Sequence, residues 1–133
     1  MDSLIINQTD DSPQVTFDIN TNRFIISGES RPENAGKFYG PVLKWIEEFE
    51  AILYWRKNEL GNDSPVTFVF KLDYFNSTSA KYIADIISLI KKLIGSNYKI
   101  NIEWHYDKRD DDLLDAGKEF SEIYDVTFDY IEY

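Results

Sequence analysis

The stretch "VTFVFKLDYFNSTSAKYIADIISLIKKLIGSNYKINIEWHY", residues 66–106, decides the fold. It opens with "VTFVFKL" (66–72), apolar on both faces for most of its length. That pattern suits a central, buried strand. Ile83, Ile86, Ile87, Ile90, Leu93 and Ile94 then recur at spacings of three and four, the single stripe of an amphipathic helix. Lys91 and Lys92 fall in its last turns, where cations suit the helix dipole, and Gly95 is expected to stop it. "YKINIEWHY" (98–106) reads as the next strand. Strand, helix and strand in this order imply a crossover connection and parallel pairing.

Downstream, "DDDLLDAGKEFSEIYD" (110–125) predicts a third helix with acids in its first turn, and "VTFDYIEY" (126–133) a last strand. Upstream, "LIINQ" (4–8) is a short strand. "QVTFDI" (14–19) puts Val15, Phe17 and Ile19 on one face. An Asn-rich turn (20–22) leads into "RFIIS" (23–27), a hairpin signal. Ser30, Pro32 and Glu33 then read as a capping box with proline in the first turn. Phe38, Val42, Trp45, Ile46, Phe49, Ile52 and Leu53 continue with helical spacing. Gly36, Gly40 and Pro41 predict a short first turn, a break, and a long helix over about residues 41–59, ended by "LGNDSP" (60–65). The sum is an α/β fold in one domain, residues 1–133. Its mixed, mostly parallel sheet carries an N-terminal antiparallel hairpin, with three helices mainly on one face.

Composition narrows the function. The chain is 43% hydrophobic and 16% aromatic, enough for a sizeable core. No apolar run approaches the roughly 20 residues of a membrane span, and "MDSLIINQTDD" lacks the pattern of a signal peptide. With no cysteine, thiol catalysis, disulfides and cysteine-based zinc sites are excluded, and a cytoplasmic location is expected. The net charge of -10 disfavours nucleic acid and anionic membranes and leaves a protein partner with basic patches.

Catalytic machinery is hard to find. His105 is the single histidine, at a strand end beside Trp104, where a structural hydrogen bond is the simpler role. Asp107, Asp110, Asp111 and Asp112 fail the calcium-loop template: the sixth position from Asp107 is not glycine and the twelfth is Lys118. There is no phosphate-binding glycine loop and no nucleophile elbow.

The hydroxyl run Ser77, Thr78 and Ser79 stands where the central strand hands over to its helix. Asn76 or Ser77 serves as the N-cap, and capping alone explains one polar side chain there. The turn lies at the carboxyl edge of the sheet, where α/β proteins usually carry sites. A helix N-terminus tolerates a phosphate, because free N–H groups and a partial positive charge meet it. Capping and a phosphorylation switch are both open on this reasoning.

"ISGESRPENAGKFYGPVLKWIEEF", "DYFNSTSAK" and "IEWHYDKRDDDLLDAGKEF" together resemble the SiaC family of bacterial regulatory phosphoproteins, from about Ser27 to Phe120. That family is similar in fold and logic to STAS-type anti-sigma factor antagonists. The resemblance implies a non-enzymatic adaptor without cofactor. A serine/threonine kinase of the histidine-kinase-like ATPase fold would phosphorylate it, and a PP2C-like phosphatase would reverse this. It also implies an output target such as a diguanylate cyclase, hence control of cyclic-di-GMP, biofilm or aggregation. Carried over, the acceptor is Ser77, with Thr78 and Ser79 weaker candidates, and the partner surface comprises Asn76, Ser77, Thr78, Lys81 and Asp107. The rival readings are a constitutive interaction module and a small enzyme using His105 and Asp107.

Overall fold

A computed structural model describes all 133 residues. The strands are β1 (Leu4–Ile6), β2 (Gln14–Asp18), β3 (Arg23–Ser30), β4 (Val66–Phe75), β5 (Ile100–Tyr106) and β6 (Asp129–Glu132). The helices are α1 (Ala35–Glu59), α2 (Ser77–Gly95) and α3 (Asp111–Tyr124). The strands form one sheet in sequence order, β1-β2-β3-β4-β5-β6. The pairs β1–β2 and β2–β3 are antiparallel, and β3–β4, β4–β5 and β5–β6 are parallel.

That order positions everything else. Each crossover from β3 onward steps to the next strand in the same direction. Right-handed connections of this kind place their helices on the same face. Accordingly α1 packs on α2 and α2 on α3. No reversal of strand order occurs, so the sheet has no switch-point crevice. The three helices instead begin side by side along the edge where β3, β4 and β5 end.

The core follows the period of two. Phe24, Phe68 and Ile102 stand in register across three strands, as do Ile26, Phe70 and Trp104. All six are buried, and they pack with Val42, Ile46 and Phe49 of α1 and Ile83, Ile86, Ile87 and Ile90 of α2. On the opposite, helix-free face, Arg23 bridges to Glu103 with both guanidinium nitrogens (3.1 and 2.8 Å), and His105 Nε2 lies 2.8 Å from Glu103 Oε1. This face keeps Ile5 and Ile131 exposed.

Two local expectations are corrected. Ser30 does not cap α1: it is the last residue of β3, fully buried, and continues the inward alternation of Phe24 and Ile26. Asn34 is the cap, its side chain accepting from the Lys37 N–H at 3.0 Å. Nor is α1 broken at Gly40 and Pro41, since it runs unbroken through Pro41. Tyr39 on one side and Val42, Trp45, Ile46 and Phe49 on the other share one buried stripe. Burying a continuous stripe outweighs the cost of one proline near the helix start. The helix α2 does end at Gly95, as expected, and the positive φ of 67° falls on Asn97 just beyond the cap.

Candidate functional site

The strand β4 is longer than its apolar run and carries the chain three residues further, through Asp73, Tyr74 and Phe75. A bulge accompanies this extension: Gly28 pairs with Leu72, but Glu29 pairs with Tyr74, leaving Asp73 over. Gly28 holds a φ of 99°, which favours glycine, and a Cβ there would lie 3.2 Å from Gln8 Oε1.

The helix α2 starts directly after β4. Asn76 is its N-cap, and the Asn76 side chain accepts from the Ser79 N–H at 2.9 Å. The Asn76 N–H donates to the Ser30 carbonyl at 3.1 Å, and its own carbonyl accepts from Ala80. Ser77 is therefore the first helical residue and Thr78 the second. Both side chains are exposed. The first turn contains no acidic residue, so the positive end of the helix dipole is uncompensated. Lys81, four residues after Ser77 and on the same helix face, is also exposed, with its ammonium 5.8 Å from the Tyr82 ring centre.

Ser79 is different. It is fully buried, and its hydroxyl accepts from Ser30 Oγ at 2.8 Å. This corrects its standing as a weaker acceptor: no enzyme reaches that oxygen in the folded chain. The residue at the third helical position points inward here, where Ser30 at the end of β3 meets it.

The expected partner residues are brought together only in part. Asn76, Ser77, Thr78 and Lys81 share one turn. Asp107 belongs to the neighbouring corner, where its carboxylate grips Arg109 through both oxygens (3.1 and 2.9 Å) and accepts the Arg109 N–H at 2.9 Å. The Arg109 bonds hold the Asp107 carboxyl down at about 2. Asp107 lines an open hollow of about 550 Å³ with Asp73, Arg109, Asp110, Asp111, Asp112, Leu113 and Tyr133. Neither Ser77 nor Thr78 reaches its lining. No group of three or more potential ligands has the geometry to hold a metal ion.

His105 and Asp107 do not converge. His105 is committed to Glu103 on the open face, and Asp107 to Arg109. The Arg23 hydrogen bonds, with a smaller share from His105, keep the Glu103 carboxyl below the usual carboxylate range. Trp104, beside His105, is core: its indole N–H donates to the Leu113 carbonyl at 3.0 Å.

Two residues were missed as parts of this corner: Ser30, read as a cap, and Tyr39, which the helical stripe omitted. Ser30 Oγ and Tyr39 Oη are 2.5 Å apart. The signal for Ser30 was present in the alternation Phe24, Ile26 and Ser30, since an inward-facing serine at the end of an apolar row needs a partner.

Residues 6–133 match the model of the SiaC family regulatory phosphoprotein. An uncharacterised protein of Pseudomonas aeruginosa (strain UCBPP-PA14) is 29% identical over 122 residues, which cover 92% of this chain and 90% of that one. The crystal structure of apo-SiaC from Pseudomonas aeruginosa is similar with a TM-score of 0.81 at 28% identity, over 99% of this chain and 98% of that chain. A crystal structure of the diguanylate cyclase SiaD in complex with its activator SiaC, from the same organism, contains a similar chain: TM-score 0.84, 27% identity, 98% of this chain and 99% of that one. With the family model spanning nearly the whole sequence, this chain belongs to the SiaC family of regulatory phosphoproteins.

Proposed function

We propose that this chain is a cytoplasmic, non-enzymatic switch whose modified residue is Ser77. One observation carries the reading: within a chain of a regulatory phosphoprotein family, Ser77 is an exposed hydroxyl at the first position of a helix with no acid in its first turn. The free N–H groups and the dipole of α2 stabilise a phosphate at that place, so the fold survives modification. The surface does not. It gains close to two negative charges where Lys81 and the helix end had offered a positive potential. A partner that docks on this turn in the unmodified state meets both bulk and repulsion afterwards.

The partner class follows from likeness. A solved relative at 27% identity is the activator of a diguanylate cyclase, and we carry that class of target to this chain. The enzymes writing and erasing the phosphate are, on this reading, a serine/threonine kinase of the histidine-kinase-like ATPase fold and a PP2C-like phosphatase. The output is control of cyclic-di-GMP, with aggregation or biofilm downstream.

The test uses protein purified from its native cell. Intact mass with and without phosphatase treatment should differ by one phosphate, and fragmentation should place it on Ser77. Ser77→Ala should keep the fold, take up no phosphate and hold its target constitutively. Ser77→Asp should release it. A wild-type chain without phosphate on Ser77, or full modification of Ser77→Ala, removes the reading.

A further inference from the structure

Three hydroxyls are sealed beneath the acceptor turn. Ser30 ends β3, Tyr39 lies in the second turn of α1, and Ser79 lies in the first turn of α2. All three are fully buried. Ser30 Oγ is 2.5 Å from Tyr39 Oη and donates to Ser79 Oγ at 2.8 Å, so Tyr39 donates to Ser30. Burial pushes the pKa of the Tyr39 hydroxyl up, with the neighbouring serine hydroxyls opposing it. No buried side-chain polar atom lacks a partner, so the cluster is closed on itself.

Two further contacts tighten the same corner. The Tyr39 ring stacks on Tyr82 of α2, with centres 5.5 Å apart and planes 7° from parallel. The Tyr82 hydroxyl abuts Gly36 of α1, where an added Cβ would lie 3.0 Å from it. The effect on the turn is selective. Asn76 is bonded to Ser30 through its N–H, and Ser79 is bonded to Ser30 through its side chain. The residues flanking Ser77 and Thr78 are thus both tied to one serine of the neighbouring strand, and only the two between them face out.

An apolar trio of the same volume would fill this space without the desolvation cost of three hydroxyls. What hydroxyls add is direction, since each bond fixes an angle as well as a distance. We infer that the Ser30–Tyr39–Ser79 cluster is a positioning device that selects which hydroxyl of the run is offered for phosphorylation, presenting Ser77 and withholding Ser79. The inference rests on Ser77 as the acceptor. It adds that the kinase meets a preset turn and not a flexible peptide, so little binding energy is lost to ordering it.

The test is run on the full chain in its native cell, with Tyr39→Phe and Ser79→Ala each replacing the wild type. Two quantities are read: the share of phosphate on each of residues 77, 78 and 79, by fragmentation mass spectrometry, and hydrogen exchange of the amides of residues 76–80 in purified protein. Both variants should keep the wild-type circular dichroism, and both should exchange these amides roughly fivefold faster, as expected for one lost hydrogen bond. Tyr39→Phe should move part of the phosphate from Ser77 to Thr78 or Ser79, a shift that a purely stabilising bond would not cause. An unchanged distribution over the three positions in Tyr39→Phe, with Ser77 modified in the wild type, overturns the inference. So does phosphate on Ser79 in the wild type. Should Tyr39→Phe fail to fold, Ser79→Ala decides: wild-type amide exchange in it overturns the inference. If the wild-type chain carries no phosphate on Ser77, it is the proposed function that fails, so the two failures are distinct.

Discussion

Helices α2 and α3 begin at the same sheet edge in the same way and end up chemically opposite. Each has a side-chain N-cap accepting from the third N–H: Asn76 from Ser79 at 2.9 Å, and Asp110 from Leu113 at 3.0 Å. Beyond the cap they diverge. The α2 turn continues with Ser77 and Thr78 and contains no acid, whereas the α3 turn continues with Asp111 and Asp112. At α3 the dipole is already compensated, and Asp73 and Asp107 line the same hollow. An added dianion there would meet four or more carboxylates. At α2 it would meet an unopposed helix end and Lys81. The difference shows that a capped helix start is not by itself a place for phosphate; the charge already spent in the first turn decides.

The largest expected effect concerns how the two helices are held. Gly117 of α3 lies so close to Trp104 that an added Cβ would fall 2.5 Å from the indole nitrogen. Gly117→Ala should therefore cost about 1–3 kcal/mol in urea unfolding, with α3 displaced and α2 intact. A loss spread equally over both helices in hydrogen exchange would deny that they are held by separate contacts.

Swapping the caps comes next. Asn76→Ala should destabilise by about 1 kcal/mol. Asn76→Asp should instead be neutral or stabilising by about 0.5 kcal/mol at low salt, because an acid at the bare α2 end meets the dipole unopposed. The mirror change, Asp110→Asn, relieves crowding among carboxylates and so should cost less than that gain suggests. Equal and opposite shifts in the two melts would show that the neighbouring acids of α3 have no influence.

Position one of α2 gives a smaller, sharper effect. Ser77→Asp should leave the stability unchanged or raise it slightly, by up to about 0.5 kcal/mol, and the gain should vanish in high salt. A clear loss of stability would mean that the turn cannot carry an anion.

The smallest effect is local and reads charge alone. Asp107 has its carboxyl held at about 2 by Arg109. Its contribution is present above the ordinary carboxylate value and is lost as pH falls through about 2, the sign expected of a depressed acid. Carboxyl NMR titration of Asp107 should give that midpoint, and Arg109→Gln should move it up towards the ordinary range. An unmoved midpoint would assign the shift to some other group.

Much of the architecture was legible along the chain. The period of two in "QVTFDI" and "RFIIS", the period near 3.6 in α2, and the doubly apolar β4 each report local burial, and local burial is what those elements share with the final fold. The start of α1 was misread because Ser30, Pro32 and Glu33 meet the local rules for a cap, while the inward row ending at Ser30 had the stronger claim. Pro41 was misread as a break for a related reason: a propensity of one residue was set against a stripe of seven buried ones.

The sequence by itself determined the strand and helix order, the central place of β4, the family, and a hydroxyl run at the mouth of α2. Periodicity and motif are properties of neighbours in the chain, so they can be read without coordinates. Only the tertiary structure decided which hydroxyls of that run face outward. Ser77, Thr78 and Ser79 are chemically near equal in sequence, but Ser30 and Tyr39, 49 and 40 residues from Ser79 respectively, turn Ser79 inward and leave the first two exposed. Accessibility depends on what packs from elsewhere, and no local pattern encodes it.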